Sequence, residues 1–194
     1  KLASGIETLQ EGEIRLNNEI ISSPNNHLSP DKRKIGYVFQ DCALFPHLTI
    51  LQNIFFGLNH KEITAQTKKI QDLMDEINIS NLSKGYPHEL SGGQQQRVFL
   101  ARALAQDAQI YLMDEPLNGV DVITEKTILS ILENLKKEGK TIVMVHHELQ
   151  TVDKYFDWVV MVNRNLIANG PIKEVFTKIN LDRTYQEKQR ISIQ

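Results

Sequence analysis

Several features that mark secreted, membrane-spanning or nucleic-acid-binding chains are scarce in this sequence. It has one cysteine, Cys42, among 194 residues, which excludes an internal disulfide and a cysteine-based zinc site and favours a reducing compartment. No apolar run approaches the ~18 residues that would cross a bilayer. Lysine and arginine number 22 against 24 acidic residues, so no excess of positive charge attracts nucleic acid or anionic lipid.

What the sequence does contain is the composition of an ordinary globular domain, with 41% hydrophobic and 24% charged residues. Continuous apolar runs predict buried strands at 35–39, 109–113 and 141–145, the pattern of a parallel sheet that is covered on both faces. Helices are predicted over 50–56, 61–79, 91–105 and 125–137, and a short one is predicted after Gly170-Pro171. A hairpin is predicted over 159–168 and a polar loop over 22–34. Because the mainly helical stretch 43–105 interrupts the alternation, we expect an α/β core with an inserted helical subdomain.

The most specific pattern lies in Leu90–Arg97, whose sequence is LSGGQQQR. Ser91 stands where a helix N-cap belongs, and the two glycines after it let an anion approach the backbone N–H groups closely. The unpaired donors and the dipole of a helix start favour phosphate. The alternative is a glycine-containing turn that leads into a helix. The glycines alone would favour that alternative, but the full string is far more specific.

Two adjacent carboxylates follow an apolar strand in residues 110–116, IYLMDEP. Ligands bind beyond the carboxyl ends of the strands in open α/β sheets, so Asp114 is a candidate ligand of Mg²⁺, directly or through water. Glu115 is a candidate for polarising an attacking water. The alternative for this motif alone, a strand end with solvated acids, agrees with the pattern equally well.

Weaker signals come from histidines after the third strand and from two isolated polar residues. One imidazole of His146 and His147 could hydrogen-bond a phosphate oxygen. A metal site from His-His-Glu is disfavoured, because neighbours on an extended chain point to opposite sides. Gln40 and Asp121 have almost no specificity alone, and a surface amide or a surface acid is the alternative.

Taken in chain order, these segments resemble the nucleotide-binding domain of ATP-binding cassette (ABC) transporters over about residues 1–178. Residues 37–40 resemble the Q-loop of the family, and residues 90–97 resemble its signature. The Walker B strand corresponds to 110–116, the D-loop to 118–121 and the switch-histidine segment to 145–148. The resemblance implies an α/β fold of the P-loop NTPase (RecA-like) type. It divides the chain into an α/β nucleotide-binding core of 1–40 and 106–178, a helical signature subdomain of 41–105 and a polar tail of 179–194.

The same resemblance implies a site that holds ATP and Mg²⁺ between two head-to-tail cassettes. Asp114 and Gln40 would bind the Mg²⁺. The catalytic residues would be Glu115 as general base, His147 as the γ-phosphate contact and Gln40 near the water. The residues expected to contact the nucleotide of the partner cassette are Ser91, Gly92, Gly93, Gln94 and Asp121. The implied reaction is in-line attack of water on the γ-phosphate.

The sequence lacks the P-loop, G-x-x-x-x-G-K-[ST], which the family carries between a strand and a helix. Residues 139–141 (GKT) are similar in letters, but they precede a strand, and Asn134 stands where the first glycine is needed. Residues 1–5 and 12–14 resemble the family's stretch after the P-loop helix. We therefore expect the chain to begin past the P-loop, to lack the first strand and to be inactive by itself.

The resemblance also implies partners, cargo and location. The whole protein would be the ATPase subunit of an importer, paired with a second copy or another ATPase subunit and with transmembrane permease subunits at the cytoplasmic face of the membrane, without nucleic acid. Residues 102–171 are similar to manganese, zinc and iron importers, and 31–58 to molybdate, sulfate, ferric iron and polyamine importers. A divalent metal cation is the expected cargo. The alternatives are an anion or polyamine importer and a non-hydrolytic binding module.

The sequence also predicts the surroundings of three apolar residues, Leu44, Phe45 and Trp158. By the resemblance, residues 43–47 form part of a groove for the permease, although Leu44 and Phe45 are equally consistent with subdomain core. Trp158 is expected in the core.

Overall fold

The structure is a computed structural model that describes residues 1–39, 44–117 and 119–185. Contacts within the chain divide it into two units, Lys1–Val145 and His146–Gln194. Throughout the described ranges, no helix combines the length and the apolar composition that a membrane crossing requires. The boundaries of the core, the helical subdomain and the tail remain predictions.

The described residues form both strands and helices in each of the two units. The strands of the first unit are β1 (Ile14–Leu16), β2 (Glu19–Ser23), β3 (Asn26–His27), β4 (Ile35–Val38), β5 (Ile110–Asp114) and β6 (Thr141–Val145). Its helices are α1 (Ile50–Phe55), α2 (His60–Glu76), α3 (Gly92–Ala105) and α4 (Val122–Lys137). The second unit holds α5 (Leu149–Tyr155), β7 (Trp158–Asn163), β8 (Asn165–Pro171), α6 (Ile172–Val175) and α7 (Lys178–Tyr185). The predicted α/β class is confirmed.

A parallel sheet in the order β4, β5, β6 forms the centre of the first unit. In the middle strand, Tyr111 and Met113 are buried. In β6 the side chains alternate between exposed and half-buried, and Val143 and Val145 are exposed. The predicted cover on both faces is therefore wrong for β6. Helix α4 packs against β6, and the alternation of exposure along the strand shows that only one of its faces is covered.

Helix α3 lies at the centre of the helical packing, against α1, α2 and β4. Val98, Leu100 and Ala101 are completely buried, and burial continues to Ala105, the last residue. A helix that is covered on most of its circumference needs no polar face, so its apolar residues do not form one narrow stripe. The core thus fixes α3 along most of its length.

Side-chain caps fix where the helices begin. The side chains of Thr49, Asn59 and Ser91 each accept a bond from a backbone N–H in the first turn of their helix. In each case the side chain three positions later accepts a bond from the backbone N–H of the cap residue. This reciprocal arrangement is the capping box. Asp121 caps α4 by accepting bonds from two backbone N–H groups. Helix α4 therefore begins at Val122, earlier than the apolar pattern predicts.

A buried arginine organises the segment 22–34, which the sequence predicts to be a polar loop. Arg33 is 1% exposed, and its guanidinium donates to the carbonyl oxygens of Leu28 (2.6 Å), Leu2 (3.0 Å) and Ala3 (3.0 Å). The antiparallel sheet of β1, β2 and β3 continues into the same segment. The sequence pattern predicts neither β3 nor this burial. The three carbonyl oxygens compensate the loss of water around the charge.

The second unit is built on the antiparallel hairpin of β7 and β8, which the sequence predicts. Met161 and Ile172 are buried, and α6 and α7 pack on the hairpin. Trp158 is 56% exposed, and its indole N–H donates to Asn169 Oδ1 at 2.6 Å. The prediction of a core position for Trp158 is therefore wrong. Side chains alternate across a strand, and Trp158 shares the outer face with Val160.

The sequence pattern does not predict two helices of the second unit, α5 and α7. Helix α5 follows the switch-histidine segment, and α7 occupies the first part of the predicted polar tail. As far as the structure describes it, α7 has no buried residue. Its polarity therefore agrees with an exposed position, although the chain there is helical. Residues 186–194 lie outside the described residues.

We expect Arg33→Met to lower the free energy of unfolding by about 2–3 kcal/mol, because methionine leaves three partly buried carbonyl oxygens without this donor. Urea denaturation of the variant and the wild type would measure the difference. Arg15→Met is the matched control, since Arg15 pairs with Glu13 on the surface, and it should leave the midpoint unchanged. Equal midpoints for Arg33→Met and the wild type would contradict the role of the buried donor.

Candidate functional site

Two segments of the first unit bring predicted site residues together: the start of α3 and the turn that follows β5. Asp114 is the last residue of β5, and Glu115 follows it with a left-handed backbone, φ 49°. This conformation is uncommon for a residue with a side chain and turns the chain sharply. Both residues are half-buried at the carboxyl end of the strand, the edge at which parallel sheets bind ligands.

The start of α3 is suited to an anion. The Ser91 hydroxyl accepts a bond from the Gln94 N–H (3.4 Å), and the Gln94 carboxamide oxygen accepts one from the Ser91 N–H (2.9 Å). The N–H groups of Gly92 and Gly93 precede the first intrahelical bond, as in any helix. A Cβ at Gly92 would meet no atom within 4 Å. The space beside Gly92 is therefore open, as the approach of an anion to a helix start requires.

Gly93 faces the segment between β5 and α4. A Cβ at this position would lie 2.5 Å from the carbonyl oxygen of Gly119, a distance at which one of the two atoms must move. The helix start and this segment are therefore in backbone contact, which only a glycine permits. The predicted signature and D-loop motifs thus touch within one chain.

A second contact joins α3 to the turn after β5 through Gln96, a residue for which the sequence predicts no role. Its side chain is 4% exposed, and its carboxamide donates to the backbone carbonyl oxygen of Glu115 at 3.4 Å. The signal for it in the sequence is its place inside LSGGQQQR, two residues after Gln94. Two residues rotate a helix by more than half a turn, so Gln96 faces inward.

Asp121, predicted to contact a nucleotide, caps α4. Its carboxylate accepts bonds from the N–H groups of Ile123 (3.1 Å) and Thr124 (3.0 Å) and from the Thr124 hydroxyl (2.7 Å). The hydroxyl bond, followed by the backbone bonds, holds the pKa of Asp121 below its ordinary value. The structure thus gives Asp121 a local role, and its nucleotide contact stays a prediction.

His146 and His147 belong to the second unit. His146 Nε2 lies 2.7 Å from the Thr151 hydroxyl oxygen, and its ring centre lies 5.4 Å from that of Phe156. His147, the predicted γ-phosphate contact, is exposed. Its contact with the γ-phosphate stays a prediction. The role of Gln40 also stays a prediction, because this residue lies outside the described ranges.

Asp114 is the described residue best suited to a Mg²⁺ ion. Mg²⁺ prefers oxygen ligands and usually takes one or two protein carboxylates, together with water and substrate phosphates. Within the described ranges, no three His, Cys, Asp or Glu side chains gather into a closed metal centre. A single carboxylate at a strand end therefore fits an ion that binds together with a phosphate substrate.

Residues 139–141, which share letters with a P-loop, take part in an ion-pair network. Lys140 Nζ lies 3.2 Å from the Asp107 carboxylate, which also lies 3.6 Å from Lys69 of α2. Lys69 in turn lies 4.0 Å from Glu138 at the end of α4. Lys140 therefore links the start of β6 to the segment after α3, in agreement with its exclusion as a P-loop lysine.

An aromatic patch, consisting of Phe45, Phe56 and Arg102, lies on the first unit. The ring centres of Phe45 and Phe56 are 4.2 Å apart, and the Arg102 guanidinium lies 4.5 and 5.2 Å from them. Buried Asn53 fixes the Phe45 backbone, accepting from its N–H (2.8 Å) and donating to its carbonyl (3.1 Å). Leu44 packs against the core, whereas Phe56 is 46% exposed. The patch is accessible to a partner.

Several known proteins are similar to this chain, and so is one protein family. Residues 1–118 match the family described as ABC transporter. The chain is 42% identical to the manganese transport system ATP-binding protein MntB of Bacillus subtilis (strain 168) over 162 residues, 79% of this chain and 65% of that protein. It is 38% identical to the zinc transport system ATP-binding protein TroB of Treponema pallidum (strain Nichols) over 194 residues, 95% of this chain and 70% of that protein.

A third relative differs in the cargo that its name gives. The molybdenum import ATP-binding protein ModC of Photobacterium profundum is 35% identical over 196 residues, 99% of this chain and 54% of that protein. The chain thus spans between 54% and 70% of the length of these relatives. Its fold is similar to the dimeric structure of a post-hydrolysis state of the ATP-binding cassette MJ0796 bound to ADP and Pi, with a TM-score of 0.74 and 26% identity over 87% of this chain and 77% of that one.

We expect alanine at the two neighbouring glycines of α3 to have opposite effects. A Cβ at position 93 must displace the Gly119 carbonyl, so Gly93→Ala should lower the free energy of unfolding by about 1–3 kcal/mol. Gly92→Ala should keep or raise it, because alanine favours the helix and meets open space. Urea denaturation of both variants measures the difference. Equal stability of the two would contradict the backbone contact.

Proposed function

The chain belongs to the ABC transporter family of ATP-binding domains, with their P-loop NTPase fold, and from this premise we propose that the whole protein is the ATP-hydrolysing subunit of an importer. One observation carries the proposal: Asp114 and Glu115 stand at the carboxyl end of β5, and α3 contacts the same turn. An acid that can hold Mg²⁺ next to one that can accept a proton provides groups that phosphoanhydride hydrolysis needs, and α3 holds their turn in place.

The proposed reaction assigns one task to each group. Glu115 accepts a proton from the attacking water, as a general base. Asp114 holds Mg²⁺, which when bound withdraws charge from the phosphate oxygens. On the basis of their motifs alone, His147 contacts the γ-phosphate and Gln40 lies near the Mg²⁺ and the water. The water oxygen bonds to the γ-phosphorus as the bond to the bridging oxygen breaks, which yields ADP and phosphate.

The start of α3 serves the nucleotide of a second ATPase subunit in this proposal, either a copy of the chain or a related subunit. The proposed contact residues are Ser91, Gly92, Gly93, Gln94 and Asp121. Support comes from the open space beside Gly92 and from the similar cassette MJ0796, a dimer bound to ADP and Pi. A helix start that offers free N–H groups at an open surface suits a phosphate brought by another subunit.

The aromatic patch is the proposed contact with a permease subunit at the cytoplasmic face of the membrane. An exposed ring with a cation stacked over it provides a compact anchor, of the kind that concentrates binding energy at protein interfaces. Asn53 holds the Phe45 loop in place before any partner binds, so little ordering is needed on association.

A divalent metal cation, manganese or zinc, is the proposed cargo. The support is that the relatives at 42% and 38% identity are named as manganese and zinc transport proteins. The molybdenum import protein at 35% identity keeps an oxyanion importer as the alternative. The cargo would bind to other subunits of the importer, since the proposed site on this chain is one for nucleotide.

Glu115→Gln tests the hydrolytic role directly. In the protein purified from its own host, the substitution should lower ATP turnover at least about 100-fold. The glutamine side chain keeps the shape of glutamate, but its amide cannot accept the proton of the attacking water. ATP binding should remain and should hold two subunits in a stable dimer. Phosphate release and size-exclusion chromatography in ATP measure the two effects.

The control for this experiment is Glu133→Gln, which changes an exposed acid on α4 and should keep the wild-type turnover. Full turnover in Glu115→Gln would remove Glu115 from the role of general base.

Phe56→Ser tests the permease contact. It should reduce the fraction of the protein bound to host membranes in a flotation assay by about tenfold, the effect of losing an anchor residue from an interface. Cellular uptake of Mn²⁺ should fall in parallel. Val160→Ser is the control, because Val160 is equally apolar and is 58% exposed on the hairpin of the second unit. Equal membrane binding of the two variants would contradict the assignment of the patch.

A further inference from the structure

We propose that Gln96 is a positioning residue for the general base: its carboxamide holds the backbone of Glu115 and ties the catalytic carboxylate to the start of α3. The inference rests on the proposed function, because it requires Glu115 to be the base. Gln96 itself touches no reacting atom. In this role it acts through the backbone of Glu115.

The surroundings of Gln96 explain why a carboxamide is needed there. The other buried side chains of α3, from Val98 to Ala105, are apolar. A polar group is costly in such surroundings unless it is hydrogen-bonded. Gln96 is 4% exposed, and its Nε2 donates to the carbonyl oxygen of Glu115 at 3.4 Å. The hydrogen bond thus compensates a burial cost that an apolar residue would not have.

The backbone that Gln96 holds is the one that directs the Glu115 carboxylate. Glu115 has a φ of 49°, a conformation that a residue with a side chain keeps only when its surroundings hold it. Its carbonyl oxygen lies in the peptide plane that follows its Cα, so a bond to that oxygen fixes ψ. The allowed directions of the side chain follow from φ and ψ. Without the bond the turn can relax, and the carboxylate moves with it.

The helix that supplies this bond also carries the amides proposed to bind the partner's nucleotide. Gly93 touches the Gly119 carbonyl, and Gln96 touches the Glu115 carbonyl, so α3 holds the segment after β5 at two points. If the start of α3 moves, the Gln96 side chain therefore moves the backbone of Glu115 with it. In a pair of cassettes, the helix that contacts one nucleotide would position the base of the other site.

The experiment compares Gln96→Met and Gln96→Glu with the wild type, in the protein produced by its host and without permease. Methionine keeps the length of the side chain but has no donor. A carboxyl group donates only when it is protonated, and burial raises the pKa of such a group. Gln106→Met and Gln106→Glu are the matched controls, because Gln106 stands at the other end of α3 and also donates to a backbone carbonyl, that of Phe56, at 3.0 Å.

We expect both Gln96 variants to lower kcat at least about tenfold at pH 8 while the KM for ATP changes less than about twofold, because a misplaced base slows the chemical step alone. Relative to the wild type at each pH, kcat of Gln96→Glu should recover between about pH 8 and pH 6, as the carboxyl group gains a proton. The same ratio for Gln96→Met should stay flat. The Gln106 variants should behave as the wild type.

A readout without catalysis accompanies the kinetics. Amide hydrogen exchange of the peptides that contain Glu115 should be faster in Gln96→Met than in the wild type and in Gln106→Met, because the turn loses a bond. Thermal melting establishes that each variant is folded. If Gln96→Met does not fold, the pH-dependent recovery of Gln96→Glu decides the question.

The outcomes separate the inference from the function on which it rests. An unchanged kcat, an unchanged exchange rate at Glu115, or a raised KM with an unchanged kcat would overturn the positioning role of Gln96. If Glu115→Gln keeps full turnover while Gln96→Met still speeds exchange at Glu115, the proposed base role fails. In that case the contact is structural only, and the positioning role falls with the base.

Discussion

The burial of α3 is the constraint on which the rest of the candidate site depends. Core residues from Val98 to Ala105 fix the helix against α1, α2 and β4, and each large apolar side chain contributes about 1.5–3 kcal/mol of burial. The start of the helix is therefore held rigidly although it lies at the surface. The amides of Gly92 and Gly93 are placed by the core and need no ligand to order them.

The same packing brings the helix start to the end of β5. A parallel sheet places the carboxyl ends of its strands at one edge, so Asp114 and the turn at Glu115 face the region where α3 begins. Gly93 allows the two backbones to meet, and Gln96 bonds across them. The acids and the amides proposed for the partner's nucleotide are thus linked within one chain, and this link keeps the acids in the fixed position that catalysis by positioning requires.

Much of the fold could be predicted because the signals are local. Apolar runs predicted β4, β5 and β6, and a serine before two glycines predicted the start of α3. The errors over Arg33 and Trp158 arise because their surroundings depend on how segments distant in sequence pack together. Arg33 is polar, yet it is buried by carbonyl oxygens from Leu2 and Ala3. Trp158 is apolar, yet it lies on the outer face of a hairpin.

The sequence by itself determined the family, the α/β class, the identity of Asp114 and Glu115 as the strand-end acids, and Ser91 as the cap of α3. These are properties of short segments, in which residue type and spacing carry the information. Only the tertiary structure decided that Gln96 faces inward to the Glu115 carbonyl and that Gly93 lies against Gly119. Contacts between segments about twenty residues apart follow from how a helix packs on a sheet, and no local pattern records that packing.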